Sequence, residues 1–301
     1  MTEPTVRTVL GTVAGSSLGL TMCHEHLLGH PPWPEAREDP DLVLDDLDAA
    51  TAELELYRAA GGDTVVEVTT IDYGRDLGGL AELSRRTGVR IVAATGLHKE
   101  RVSATYTANV TVDELEERFV RELAGGQVGL IKVGSSRDEI TPGERKVFTA
   151  AAAAHRATGA PITTHTEAGN LALEQLDLLL SDGVDPERVC VGHLDRRLEI
   201  DYHLAVLRRG VYAGYDQVGK AKYGSDRSRA LAVRSLVARG FGARLLVSSD
   251  LARRSYLASR GGEPGLAYVA TAFLPLLYEV GVDEADARAL LHDNPRRFLC
   301  R

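Results

Sequence analysis

The chain has 301 residues, 44% hydrophobic and 26% charged, with a formal net charge of −8. That is enough for a full core in one or two domains, and the acidic balance excludes a general nucleic-acid binder, whose footprint is basic. No apolar run reaches the ~18 residues that span a membrane, and the three cysteines (Cys23, Cys190, Cys300) are far apart, without a CxxC pattern, which suits a reducing cytoplasm better than a disulfide scaffold.

In chain order, Met1 to Gly11 carries no apolar stretch behind a basic start, which predicts no secretory leader. Val6, Val9, Leu10 and Val13 predict a small β extension. Strands follow near 19–26, 63–70, 90–97, 128–135, 161–166, 189–194, 211–216 and 243–249. Helical stretches fall at 45–60, 76–87, 143–158, 171–181, 199–209, 226–239 and 265–280. The clearest helix opens with the capping box Thr111-Val112-Asp113-Glu114 and continues with Leu115, Phe119 and Leu123 at i, i+4 spacing. Pro275 should kink or divide the last of them. A short closing helix begins near Asp283, and Asn294-Pro295 ends it or starts the tail.

Eight β segments separated by helices are the count for an α/β fold of the (β/α)8 TIM-barrel type. A doubly wound open sheet is the alternative, but it usually needs fewer strands. No low-complexity linker divides the chain, so residues 1–301 read as one barrel domain with a short N-terminal β extension and a C-terminal helix. The extension is assigned to the barrel floor, and Pro31-Pro32-Trp33-Pro34, directly after the first strand, to an active-site loop.

The first strand ends in Cys23-His24-Glu25-His26. Alternate strand residues share a face, so His24 and His26 form half of a metal site. Cys23 then faces outward toward the helices as an inert packed thiol, and Glu25 is structural. Partners stand at later strand ends: Lys132, His165, His193 and Asp250. Each alone has a plain reading: a core histidine, a snorkelling lysine, a helix N-cap aspartate. Four histidines, a lysine and a carboxylate in this order at strand ends point together to one metal centre.

That order, with the words MCHEHLL, LIKVGSS, ITTHTEAG, VGHLDR and SSDLARRSY, resembles the phosphotriesterase-related family of the amidohydrolase superfamily. Its phosphorylated-sugar lactonase-like members look most similar. The match runs from the first strand to NPRRFL near the C-terminus. The resemblance implies that Lys132 is carboxylated by carbon dioxide and bridges two divalent metals. His24, His26 and Asp250 would hold the buried metal, and His165 and His193 the exposed one. Zinc is favoured; manganese, cobalt and iron suit the same ligands. Two cations balanced by a carbamate, an aspartate and a bridging hydroxide leave a small positive charge, suited to a developing oxyanion. The hydroxide would attack a carbonyl or phosphoryl centre, with Asp250 passing the proton to the leaving alkoxide.

Two positions depart from the organophosphate-hydrolysing pattern. Thr95-Gly96-Leu97 is followed by His98 and Lys99 instead of an aromatic residue, and the seventh strand ends in Tyr215-Asp216-Gln217-Val218-Gly219-Lys220, without the usual histidines. That segment therefore offers no histidine for the proton relay that the pattern uses. Lys220, Arg253 and Tyr256 instead look like the anion clamp of members that open phosphorylated sugar lactones. His98 is a weaker pocket-lining candidate, as are Lys99 and Arg101. Arg254 reads as a solvated, paired arginine. The IDYGRD stretch (Asp72, Gly74, Arg75, Asp76) reads as a loop held by an Arg–Asp pair, and Asp195 as metal-site support or a helix cap. His30, His155, His203 and His292 show no ligand spacing.

The leading expectation is a cytoplasmic metal-dependent lactonase acting on a phosphorylated sugar lactone. The alternatives are a carboxylesterase, acyl-lactonase or organophosphate hydrolase on the same metals, and a metal-binding protein without turnover. The partner expected is a small anionic substrate, with no nucleic acid and no membrane, and the resemblance leaves room for a homodimer.

Overall fold

The computed structural model describes residues 3–32 and 34–301, so Met1, Thr2 and Trp33 of the Pro-rich loop lie outside the described residues. Two strands, β1 (Thr5–Thr8) and β2 (Gly11–Ala14), form an antiparallel hairpin. Eight more follow: β3 (Leu20–Glu25), β4 (Gly62–Glu67), β5 (Arg90–Gly96), β6 (Val128–Ser135), β7 (Ile162–Thr166), β8 (Val189–Val191), β9 (Tyr212–Tyr215) and β10 (Leu245–Val247). These eight run parallel, each beside its sequence neighbour, as a (β/α)8 barrel requires. Gly96 permits the close approach of β5 to β6: its φ is +106°, and a Cβ there would stand 1.9 Å from the Lys132 carbonyl oxygen.

The seam between β10 and β3 closes through a side chain. Glu25 accepts hydrogen bonds from Ser248 Oγ (2.9 Å), Ser249 N (2.7 Å) and Leu251 N (2.9 Å). Alongside, His24 N donates to Ser248 Oγ at 2.9 Å, and Asp250 N donates to the His24 carbonyl at 3.1 Å. The structural role expected for Glu25 is thus specific: one carboxylate does the work of a ladder.

Residues on alternate positions divide between two cores. Val65, Ile91, Ile131, Ile162, Val189, Ala213 and Leu245 pack outward, where the helices lie. Val66, Val92, Leu130, Cys190, Tyr212 and Leu246 form the inner cluster. Cys23 belongs to this inner cluster, which corrects the expectation that it faces the helices. The reason is a register shift between Met22 and Glu25 against β4. The extra residue breaks the strict alternation of β3.

The hairpin closes the floor. Val9 N donates to the Ile91 carbonyl, and Thr5 and Arg301 exchange main-chain hydrogen bonds. Val6 and Leu18 pack with Phe298, Leu299 and Cys300, and the Phe298 ring lies 5.4 Å from that of Tyr212.

Most predicted helices appear within a few residues of their expected ends. In Val112–Ala124 both halves of the Thr111/Glu114 capping box are made, and Leu115, Phe119 and Leu123 are buried. The stretch around Pro275 divides into a π-helical turn, Val269–Phe273, and the helix Leu274–Glu279. Pro275 has no N–H for the preceding turn, which accounts for the break. The helix Glu100–Thr107 was not predicted. No helix of the described residues is long and apolar enough to cross a membrane.

Candidate metal centre

The C-terminal strand ends bring all six candidate ligands to one cleft of about 110 Å³, lined also by Thr70, Tyr73, His98 and Ala252. Lys132 Nζ stands 2.9 Å from His24 Nε2. His193 Nε2 stands 2.8 Å from His165 Nδ1. Asp250 Oδ1 lies 3.4 Å from His26 Nε2 and 3.9 Å from His24 Nε2. His193 and Asp250 hold their places with φ of +60° and +51°, left-handed conformations that cost a non-glycine residue free energy and recur at functional sites. The N-cap reading of Asp250 does not hold: a chain of short turns follows it, beginning at Arg254–Tyr256.

The surroundings keep these groups in ligand form. Burial, then the Lys132 ammonium, holds His24 well below the ordinary imidazole range. Burial, then His193, pushes His165 down to about 3. Both imidazoles are therefore neutral, with a lone pair to donate. Burial pushes Lys132 down to about 8. For Asp250 burial opposes ionisation, but the Lys220 ammonium and a hydrogen bond to His26 outweigh it and hold the carboxyl well below its usual range.

One central residue escaped the sequence reading. Asp216, fully buried just past β9, places Oδ1 2.6 Å from His193 Nδ1 and Oδ2 3.3 Å from His24 Nδ1. It also accepts from His193 N at 3.0 Å. A carboxylate on Nδ1 turns each Nε2 toward the cleft and fixes its tautomer. His24, His193 and Asp216 form one group able to hold a cation, and His24, His26 and Asp250 another. Inner-face parity along β9 (212, 214, 216) was the signal that marks Asp216. Gly192 keeps the space open, since a Cβ there would meet Asp216 Oδ2 at 3.1 Å and His24 Cε1 at 3.3 Å.

Asp195 supports this carboxylate from behind. It accepts from Gln217 N (2.9 Å), Asp216 N (3.3 Å) and the fully buried Arg229 Nε (2.9 Å). Gln217 donates from Nε2 to Asp250 Oδ2 at 2.9 Å. Glu167 accepts from Lys99 and from Arg196 (3.2 Å), and lies 3.2 Å from His165 Nε2, leaving His165 Nδ1 for the cleft.

An adjoining cavity of about 220 Å³ is lined by Lys220, Arg253, Tyr256, Tyr223 and Arg196, among others. Lys220 is buried and its Nζ reaches Asp250 Oδ2 at 2.9 Å, 5.0 Å from the centre of the Tyr256 ring. Arg253 Nη1 lies 2.7 Å from Asp39 and 3.4 Å from Asp41. Those two acidic partners were not foreseen. Arg254 pairs with Asp45, as expected for a solvated arginine. His98 lines the cleft, its ring centre 4.7 Å from that of His165, and Asp72 anchors its main-chain N–H. Lys99 and Arg101 line a third cavity of about 310 Å³ with His98 and Arg253, and Arg101 pairs there with Glu35 and Glu38. The expected Arg–Asp pair in IDYGRD is not made: Arg75 bonds Glu122 at 2.9 Å, because its guanidinium turns along the sheet toward the helix Val112–Ala124. His155 and His203 are held by backbone and side-chain hydrogen bonds away from the cleft.

The phosphotriesterase family model matches residues 4–299. A phospho-furanose lactonase from Mycoplasmopsis synoviae is 30% identical over 97% of this chain and 91% of its own length. The structure of a lactonase from Listeria monocytogenes superposes with a TM-score of 0.94 at 34% identity, covering 98% of each chain. That of the phosphotriesterase homology protein from Escherichia coli, complexed with phosphate in its active site, superposes with a TM-score of 0.90 at 36% identity, covering 94% of this chain and 99% of that one.

Proposed function

Because the chain belongs to the phosphotriesterase family, we propose that it is a metal-dependent hydrolase that opens a phosphorylated sugar lactone. The observation that carries this reading is the convergence of six strand-end donors beside a cavity walled by Lys220, Arg253 and Tyr256. A lactonase relative and a relative with phosphate in its active site support the same substrate class.

The donor set fits two divalent cations. Asp216 occupies Nδ1 of His24 and His193 and leaves both Nε2 atoms facing the cleft. In this reading His24, His26 and Asp250 would hold one cation and His165 and His193 the other, and Lys132, as a carbamate, would supply a shared anionic ligand. Burial that pushes Lys132 down to about 8 leaves part of it as the neutral amine near pH 7.5. That amine adds to carbon dioxide, forming an N–C bond and releasing one proton. Bound cations, zinc above all, would supply Lewis acidity and a hydroxide at neutral pH.

The chain's own residues do the rest. Lys220 and Gln217 hold Asp250 Oδ2, so that Oδ1 faces the reacting centre. Asp250 takes the proton of the attacking water, the acyl C–O bond breaks, and the same carboxyl returns the proton to the leaving alkoxide. Arg253 and the Tyr256 hydroxyl bind the phosphate beside the charge of Lys220, whose three N–H donors go to Asp250 and Gln217, and His98 lines the sugar side.

A second reading is a hydrolase of neutral esters, acyl-lactones or phosphotriesters. One observation favours it: Asp39 and Asp41 already neutralise Arg253. A hydrolysis screen with zinc-reconstituted protein separates the two. The first reading predicts turnover of phosphorylated lactones far above that of their dephosphorylated forms. Equal rates on both defeat it.

A further inference from the structure

A cavity of about 420 Å³ lies at the opposite end of the barrel from the strand-end histidines, under the floor, and is larger than the cleft that holds them. Its charged lining is Arg188, Arg296, Arg297, Arg301 and Glu3, with Cys300 between them. The residues come from three places: the segment before β1, the turn before β8 and the closing helix Asp293–Leu299 with its tail.

The four guanidinium groups have few anionic partners. Arg188 Nη1 donates to the carbonyls of Arg297 and Phe298, both at 3.2 Å, and to that of Cys300. Arg301 donates to the carbonyls of Gly129 (2.6 Å) and Thr158 (3.4 Å). Arg297 donates to Asn294 Oδ1. The nearest carboxylate to any of them is Asp293, 3.9 Å from Arg296, among the described residues. Glu3 accepts instead from Ser16. Burial, then Arg7 and Arg188, pushes Arg301 down to about 10, as crowding of like charges should. Against the one acidic side chain of its lining, Glu3, the pocket keeps a surplus of positive charge. In a chain of net charge −8 that surplus is local.

We propose that this floor pocket is a binding site for a compact multivalent anion of the phosphate-monoester or polycarboxylate class. Arg188 and Arg301, fixed through backbone carbonyls, keep donors free for a planar or tetrahedral anion, and Arg296 and Arg297 close over it from the helix. The volume is that of a small-metabolite site, larger than a free phosphate needs. A ligand there ties the N-terminal segment to the closing helix. It rests on no residue of the metal centre, so it stands or falls apart from the proposed hydrolysis.

Calorimetric titration of the intact protein with inorganic phosphate and with succinate tests it. Three proteins are compared: wild type, Lys220→Ala/Arg253→Ala and Arg296→Ala/Arg297→Ala. The expected result is a site for at least one of the two anions that survives in the Lys220→Ala/Arg253→Ala protein. It weakens at least tenfold in the floor variant, whose hydrolytic rate is unchanged. Arg296→Ala alone, at a half-exposed side chain, should show the same direction without disturbing the fold. Anion binding by both floor variants at wild-type affinity overturns the proposal, as does loss of all binding in Lys220→Ala/Arg253→Ala.

Discussion

Oδ1 of Asp216 lies 2.6 Å from Nδ1 of His193, joining the ends of two neighbouring strands. Its other oxygen reaches His24 on β3, two strands away across the seam. One buried carboxylate therefore orients an imidazole from each of the two proposed cation sites. Asp216→Asn keeps the shape but loses the charge and one acceptor. Such partners typically govern metal affinity by about 10–100-fold. Asp216→Asn should lose zinc affinity by that factor while unfolding close to wild type, as read by competition with a chromogenic chelator. Unchanged affinity would mean that the histidines orient themselves.

Glu25 predicts a stability effect instead. Its carboxylate takes three donors within 3 Å at the seam between β10 and β3. Glu25→Gln replaces one acceptor oxygen by an NH2 that faces main-chain N–H groups. Burial pushes the Glu25 pKa up to about 7, so in urea unfolding above about pH 8, where it is ionised and hydrogen bonds to a charged group contribute about 1.5–3 kcal/mol each, the variant should lose at least ~2 kcal/mol.

Arg253 separates charge from geometry at the pocket. Arg253→Ala should raise KM for a phosphorylated lactone by about tenfold or more, the loss of one charge-assisted hydrogen bond, with little change for the dephosphorylated form. Arg253→Lys should recover only part, because a single ammonium cannot span Asp39, Asp41 and a phosphate together. Equal effects on both substrates would place the phosphate elsewhere.

His203 carries a pH dependence. Burial keeps its pKa below the ordinary 6.5, against hydrogen bonds to the Arg197 and Leu194 carbonyls. The unfolded chain therefore binds this proton more readily, so the contribution of His203 is present above pH 6.5 and is lost as pH falls through the unfolded value. The stability advantage of wild type over His203→Gln should shrink between pH 7.5 and pH 5, measured by urea unfolding at each pH.

The strands and their order were legible because apolar runs bounded by turn residues recur at barrel spacing, and the strand-end histidines stand out against them. The inward turn of Cys23 was not legible, since a bulge in β3 depends on pairing with β4. Asp216 was not legible because it stands alone without ligand spacing, and only the inner-face parity of β9 brings it level with His24 and His193. The partners of Arg253 lie more than two hundred residues earlier, in a loop whose path no periodicity describes. The helix Glu100–Thr107 is short, polar and weakly patterned, so its packing and not its propensity decides it.

The central claim is a two-cation centre bridged by Lys132. Elemental analysis of protein equilibrated with zinc and bicarbonate, then freed of loosely bound metal, tests it most directly. Wild type should retain two zinc ions per chain, and Lys132→Ala fewer than one, with short-chain carboxylates restoring part of the loss. One zinc or none in wild type, or two in Lys132→Ala without any carboxylate, would contradict it.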